Sequence, residues 1–244
     1  MFSKIHYLFI ISVLALFFGC KEAPKKAEAK YHLKDYYYPI DELRGGRAYV
    51  YTPVNNDSLE SYISYHLNNG GYLTTTEYNS VFQITQIKTE DVVRNGTLLH
   101  RLRLCDYFPE SPDYCQPIDV KIESPAIFPF EMMDSSSVFL YKISWKELRD
   151  TTIENTIIRN RHFMGFETRN WKGKPYDCVK FGIREEISVG SQVDGFQTFK
   201  AFTEEYYAKG IGLIHTKKNI ENLMILEYEL ADTTTMAAME KMFR

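Results

Sequence analysis

Phe139-Leu140-Tyr141-Lys142-Ile143-Ser144-Trp145-Lys146 is the stretch that decides the fold. Phe139, Tyr141, Ile143 and Trp145 alternate with Leu140, Lys142, Ser144 and Lys146, a period of two. Successive side chains of a strand point to opposite faces, so this run reads as a strand with one packed and one wet face. That is the signature of antiparallel sheets. The same period recurs on both sides. Leu102 and Leu104 alternate with Arg101 and Arg103, and Val120 and Ile122 with Lys121 and Glu123. Met224, Leu226, Tyr228 and Leu230 alternate with Ile225, Glu227 and Glu229.

Short turn signals join such runs. Asn95-Gly96 separates residues 82–93 from 97–105, and Lys172-Gly173 separates 166–171 from 174–183. Asn68-Asn69-Gly70-Gly71 lies between 62–67 and 72–78, and Lys217-Lys218-Asn219 between 211–216 and 222–230. Asn and Gly supply the positive φ that tight hairpins need. The fold class is therefore mainly β: an antiparallel meander forming a curved sheet or half-barrel, or two packed sheets. Asp57–Asn69 also carries apolar residues at helical spacing, but Tyr62-Ile63-Ser64-Tyr65 favours a strand there. Met236, Met239, Glu240 and Phe243 share one helical face and predict a short C-terminal helix. The chain holds 18 Tyr and 16 Phe against 2 Trp, which suits a pleated, aromatic core or a ligand cavity. A segment at 125–137, with Pro125, Pro129 and Ser135-Ser136-Ser137, marks a candidate subdomain break within one β domain over residues 35–244.

The net charge is −3 with both signs interspersed, so nothing in the pattern selects nucleic acid as a partner. No catalytic motif stands out. The histidines at 6, 32, 66, 100, 162 and 215 form no metal-ligand spacing, no G-x-S-x-G elbow is present, and no cofactor or metal is expected. Arg159-Asn160-Arg161-His162 is the most polar short cluster; it reads as a solvated strand face, with anion binding as the alternative. Cys105 and Cys115 flank a turn-rich loop and form a candidate disulfide, worth roughly 3 kcal/mol in the chain-entropy model. Cys178 leaves an odd count, so the bridged and free states both stay open, and Cys178 itself reads as a buried thiol.

The N-terminus carries the locational signal. Lys4 and His6 lead into the apolar run 7–18, then Gly19-Cys20. A run of about 12 residues fits an export signal, whereas a spanning helix needs about 20. Gly19-Cys20 resembles the lipobox of bacterial lipoproteins, which implies a signal peptide over 1–19 and lipid attachment at Cys20. Residues 20–34, rich in Lys, Glu and Ala, then read as a flexible tether. Lys21 rather than Asp follows the cysteine, which by the same resemblance favours the outer membrane. Asp57-Ser58-Leu59, Asp150-Thr151-Thr152 and Asp232-Thr233-Thr234 resemble the O-glycosylation motif of exported Bacteroidota proteins, which makes Ser58, Thr151 and Thr233 candidate glycan sites.

A second resemblance covers the last third. Asp177-Cys178-Val179-Lys180 followed by Tyr206-Tyr207-Ala208-Lys209-Gly210-Ile211-Gly212-Leu213 is similar to runs in TapB-like periplasmic proteins and lipoproteins. It implies likeness to the curved half-barrels of the LolA and LolB carriers. Gly210 and Gly212, flanking Ile211 within a strand, read as backbone bends or close approaches. The resulting expectation is a lipid-anchored, non-enzymatic envelope protein. Its concave face would bind an apolar ligand, a lipid or an envelope partner. The alternative is an envelope hydrolase acting on glycans or peptides, which requires converging carboxylates or a Cys-His pair.

Overall fold

The computed structural model describes residues 30–54 and 56–242. Cys20 lies outside the described residues. The strands are β1 (Tyr31–His32), β2 (Arg47–Pro53), β3 (Tyr62–Asn68), β4 (Tyr72–Tyr78), β5 (Ile84–Val93), β6 (Gly96–Phe108), β7 (Ser111–Asp119) and β8 (Lys121–Pro129). They continue as β9 (Glu131–Met132), β10 (Val138–Lys146), β11 (Glu154–Trp171), β12 (Lys174–Ser191), β13 (Gly195–Ala208), β14 (Gly212–Ile220) and β15 (Met224–Thr234), followed by helix α1 (Met236–Met242).

The expected antiparallel curved sheet is present, and its curvature carries through to closure. Twelve strands run up and down in the order β2-β3-β4-β5-β6-β8-β10-β11-β12-β13-β14-β15. The ring shuts where Leu230 of β15 pairs with Tyr51 of β2, so the two ends of the fold meet. β7 is the extra strand. It and β8 flank the same side of β6, β7 along Arg103–Phe108 and β8 along Gly96–Leu98. The Cys105–Cys115 disulfide staples the β6–β7 hairpin, with Cα atoms 5.1 Å apart. The 125–137 segment separates no subdomains, because β8 runs through Pro125 and pairs on both sides.

One mouth of the barrel is filled by the chain's own N-terminal segment. β1 pairs with β9, and 3₁₀ turns at Lys34–Tyr36 and Ile40–Gly45 carry the chain across the opening. Leu33, Tyr37, Tyr38 and Leu43 are buried there against Phe128, Phe181 and Tyr207. The Tyr37 ring lies 4.7 Å from that of Phe128, and Tyr38 lies 3.9 Å from the His66 ring. Each such side chain contributes roughly 1.5–3 kcal/mol when taken out of water. The tether expected through residue 34 therefore ends sooner: Leu33 is 0% exposed and belongs to the core.

The turn expected at Lys217-Lys218-Asn219 is also displaced. β14 continues to Ile220, and the reversal falls at Glu221–Leu223 with Asn222 at φ 60°. The polar run suggests a loop, but both lysines have strand partners. Lys217 ion-pairs outward with Glu227 at 2.7 Å, and Lys218 reaches inward to Glu185. Gly210 sits in the β13–β14 turn rather than within a strand, at φ 75°. Gly212 is a close approach: its φ is 105°, and an added Cβ would overlap the Tyr38 ring of the plug.

These two glycines give a test. Gly210→Ala meets no atom, so it should cost only the positive-φ strain, about 1 kcal/mol. Gly212→Ala should cost about 3 kcal/mol or more, because strain and overpacking of Tyr38 add. Equal losses in thermal melts of the two variants would contradict the packing of the plug on β14.

Candidate functional site

Behind the plug the barrel keeps a cavity of about 340 Å³, within the size range of small-molecule sites. Its wall follows from strand phase. On β11, Arg159 and Arg161 share a face with Phe163. On β12, Ile183 and Glu185 share one with Phe181, and on β13 Thr203 and Glu205 share one with Tyr207. Since Phe163, Phe181 and Tyr207 pack at the plug, the charged residues two and four positions away must also point inward. Arg159 and Arg161 thus line the lumen, where a solvated outer face was expected. Asn160 and His162, in the opposite phase, face outward, and the His162 imidazole lies over Gly182.

The inward charges are paired. Glu185, 3% exposed, takes Arg159 Nε on one side and Lys218 Nζ on the other. Arg161 Nη2 donates to Glu205 at 2.6 Å, and its guanidinium stands 5.4 Å from the Phe181 ring and 5.8 Å from that of Tyr207. Tyr207 donates its hydroxyl to the same carboxylate at 2.9 Å. Glu90 is fully buried; it accepts from Tyr37 at 2.7 Å and ion-pairs with Lys88 at 2.8 Å. Burial pushes the Glu185 carboxyl up, but Arg159 and Lys218 outweigh it and hold the pKa below the usual glutamate value. Burial opposes the charges on Lys88 and Arg161, yet Glu90 and Glu205 raise both pKa values above normal. Lone buried charges are expensive and paired ones are tolerated, which explains why the inward cations come with carboxylates.

Two charged groups in the wall are incompletely used. Arg159 makes its side-chain hydrogen bond through Nε, and its side chain is 42% exposed although it points inward. Solvent therefore reaches the lumen, and the Nη edge is open to it. Glu77 makes no side-chain hydrogen bond or ion pair among the described residues and acts on Lys88 only from a distance. Gln86, Thr203 and Thr216 line the same cavity, also without side-chain partners among the described residues.

His66 sits where lumen and plug meet. It hydrogen-bonds Ser64 through Nε2 at 3.0 Å and Thr75 through Nδ1 at 3.1 Å. Burial holds its pKa well below the ordinary histidine value, with the Lys88 charge adding to the effect. A serine nucleophile needs a histidine whose second nitrogen faces a carboxylate that stabilises the imidazolium. Here Nδ1 faces a hydroxyl, and Ser64 is 4% exposed. Cys178 is free and buried, and burial pushes its thiol up to about 11, far from thiolate reactivity at neutral pH.

The remaining sequence candidates lie elsewhere. Ser58 and Thr151 are exposed in loops at the mouth opposite the plug, whereas Thr233 is half-buried inside β15, opposite Tyr49. Cys105 and Cys115 are joined on the β6–β7 hairpin, away from the lumen. Of the lumen charges, sequence reasoning singles out Arg159 and Arg161 but not Glu77, Glu185, Glu205 or Lys218; the phase of Glu185 with Phe181 and of Glu205 with Tyr207 is the signal that could have found those two.

No protein-family model matches the chain, and comparison with curated proteins also returns no match. Among solved structures, a candidate lipoprotein from Parabacteroides distasonis aligns with a TM-score of 0.51 at 12% identity, covering 82% of this chain and 98% of its own. A candidate exported protein from Bacteroides fragilis, described as having a YmcC-like fold, aligns at 0.46 and 13% identity over 79% and 96%. The first of these likenesses establishes a shared fold. Neither matched chain is described as a LolA- or LolB-like carrier.

Two predictions follow from the paired wall. Glu185→Gln strands Arg159 and Lys218, and should cost about 2 kcal/mol or more. That is less than the roughly 3–5 kcal/mol of a dry pair, because solvent reaches Arg159; a neutral denaturation midpoint would contradict the pairing. Stability should also fall with acid in two stages. His66 is neutral in the fold and titrates near 6.5 when unfolded, so its contribution is full above about pH 6.5 and declines below it. Glu185 loses its contribution lower, as pH falls through and below about 4.3. His66→Gln should flatten the first stage only in part, since His162 and His215 are shifted the same way. An unchanged slope between pH 5 and 6.5 would contradict a buried neutral His66.

Proposed function

We propose that the protein is a lipid-anchored component of the cell envelope that acts by binding rather than catalysis, with the barrel lumen as the binding site. The observation that carries the binding half is the solvent-reached wall, where Arg159 and Glu77 offer charged groups that the fold itself does not fully use. The anchoring half rests on Gly19-Cys20 after a short apolar run. The name of the Parabacteroides distasonis neighbour, a candidate lipoprotein with the same fold, agrees with it. The resemblance to bacterial lipoproteins, where Asp after the cysteine marks inner-membrane retention, makes Lys21 after Cys20 favour the outer membrane. Two or more acyl chains on the Cys20 residue meet the requirement for stable attachment, at roughly 0.8 kcal/mol per buried methylene.

The lumen suits a polar ligand better than the apolar one that the aromatic content suggested. An apolar molecule would have to cover Arg159, Glu77 and Gln86 without bonding them, and each buried unpaired group costs roughly 1–3 kcal/mol, more when charged. The hydrolase alternative finds less support. Glu90, Glu185 and Glu205 are occupied by cations, and among the described residues His66 has no carboxylate partner.

The test has two readouts. The mature protein should begin at Cys20 and carry acyl mass there, and Cys20→Ala should move it from the membrane to the soluble fraction. A mature chain that begins at Met1, or an unmodified cysteine, contradicts the anchoring half. Native mass spectrometry of protein taken from its own envelope should show a bound small molecule; hydrolysis of envelope glycan or peptide by the purified protein contradicts the binding half.

A further inference from the structure

We infer that the lumen takes a small zwitterion, a free amino acid or short peptide, whose carboxylate meets the open edge of Arg159 and whose ammonium meets Glu77. This deepens the lumen-binding reading and rests on it.

Charge balance is the first argument. Lys88, Arg159, Arg161 and Lys218 face four carboxylates, Glu77, Glu90, Glu185 and Glu205. His66 is held neutral, and Tyr37, Tyr62 and Tyr207 are held protonated, chiefly by burial. A cavity whose own charges balance offers no net attraction to a ligand with net charge of either sign, whose charge would leave bulk water without a counterpart.

The unused groups give the second argument. Arg161, Lys88 and Lys218 are committed to Glu205, Glu90 and Glu185. Arg159 spends Nε on Glu185 and keeps the Nη pair, a geometry suited to the two oxygens of a carboxylate. Glu77 is the one lumen carboxylate without a cation in contact among the described residues. One free cationic edge and one free carboxylate in a neutral cavity match a molecule bearing one of each. Gln86, Thr203 and Thr216 line the same cavity with uncharged donors and acceptors, suited to a peptide unit or a polar side chain. The volume, about 340 Å³, is that of roughly eleven waters at about 30 Å³ each, enough for one amino acid or a dipeptide.

The experiment is calorimetric titration of the mature, detergent-extracted protein with an amino-acid mixture and with Ala-Ala. N-acetyl-Ala-Ala, Ala-Ala amide and glucose serve as comparisons. The zwitterions should bind, and both blocked peptides should bind at least roughly tenfold more weakly. Arg159→Gln should abolish the preference for a free carboxylate, and Glu77→Gln the preference for a free amine. Glu77→Gln removes no contact in the fold, so it guards against loss of binding through misfolding. Tighter binding by the amino-acid mixture or by Ala-Ala separates the two sources. Glucose or a blocked peptide binding as tightly as Ala-Ala overturns the zwitterion and leaves the lumen reading standing. So does a copurified molecule of another class. No binding of any probe, together with no copurified molecule, overturns both.

Discussion

A ring of twelve strands is too wide for its own side chains to fill. About eight strands make an interior that inward side chains can occupy, and the diameter grows with strand number. This chain meets the constraint in two ways along one axis. At one mouth it folds its N-terminal segment inward, so Leu33, Tyr37, Tyr38 and Leu43 complete an aromatic core with Phe128, Phe181 and Tyr207. Farther along the axis, inward side chains leave a solvent-reached cavity whose lining sets paired charges such as Arg159 and Glu185 among apolar residues such as Phe139 and Leu226. The plug and the cavity are two consequences of one geometric excess.

The border between these halves explains the placement of charge. Arg161 stands at the border, surrounded by the rings of Phe128, Phe181 and Tyr207 and fixed by Glu205. Tyr37 belongs to the plug yet donates to Glu90 in the wall. Plug and wall are therefore joined by hydrogen bonds to charged groups, which are worth more than neutral ones. Nearer the cavity, Arg159 keeps its pair with Glu185 while the rest of its side chain meets solvent. Under the proposed lumen-binding role, an interior arranged this way would recognise by fixed charges and donors.

Much of this was legible in the sequence. Period-two alternation gave the strands, and Asn95-Gly96 and Lys172-Gly173 gave hairpins where they occur. The meander order followed from those turns. Closure was not legible, because the pairing of Leu230 with Tyr51 joins residues far apart in the chain and no local pattern encodes it. The lumen is hidden in the sequence for a related reason. Alternation reports two faces without saying which is inside, and in a barrel with solvent on both faces a polar phase can point either way. Arg159 and Arg161 were read as solvated, but they share the phase of Phe163. Lys218 was read as part of a turn, because its partner Glu185 lies two strands away. Leu33 was assigned to the tether because its neighbours are polar, although it completes the plug.

The most direct measurement is a crystal structure of the mature protein at a resolution that shows ordered solvent. The account predicts water or ligand density bonded to the Nη atoms of Arg159 and to the Glu77 carboxylate, with none among Tyr37, Phe128 and Phe181. A collapsed, dry lumen with Arg159 turned to the outside would contradict it, and so would a plug withdrawn from the mouth.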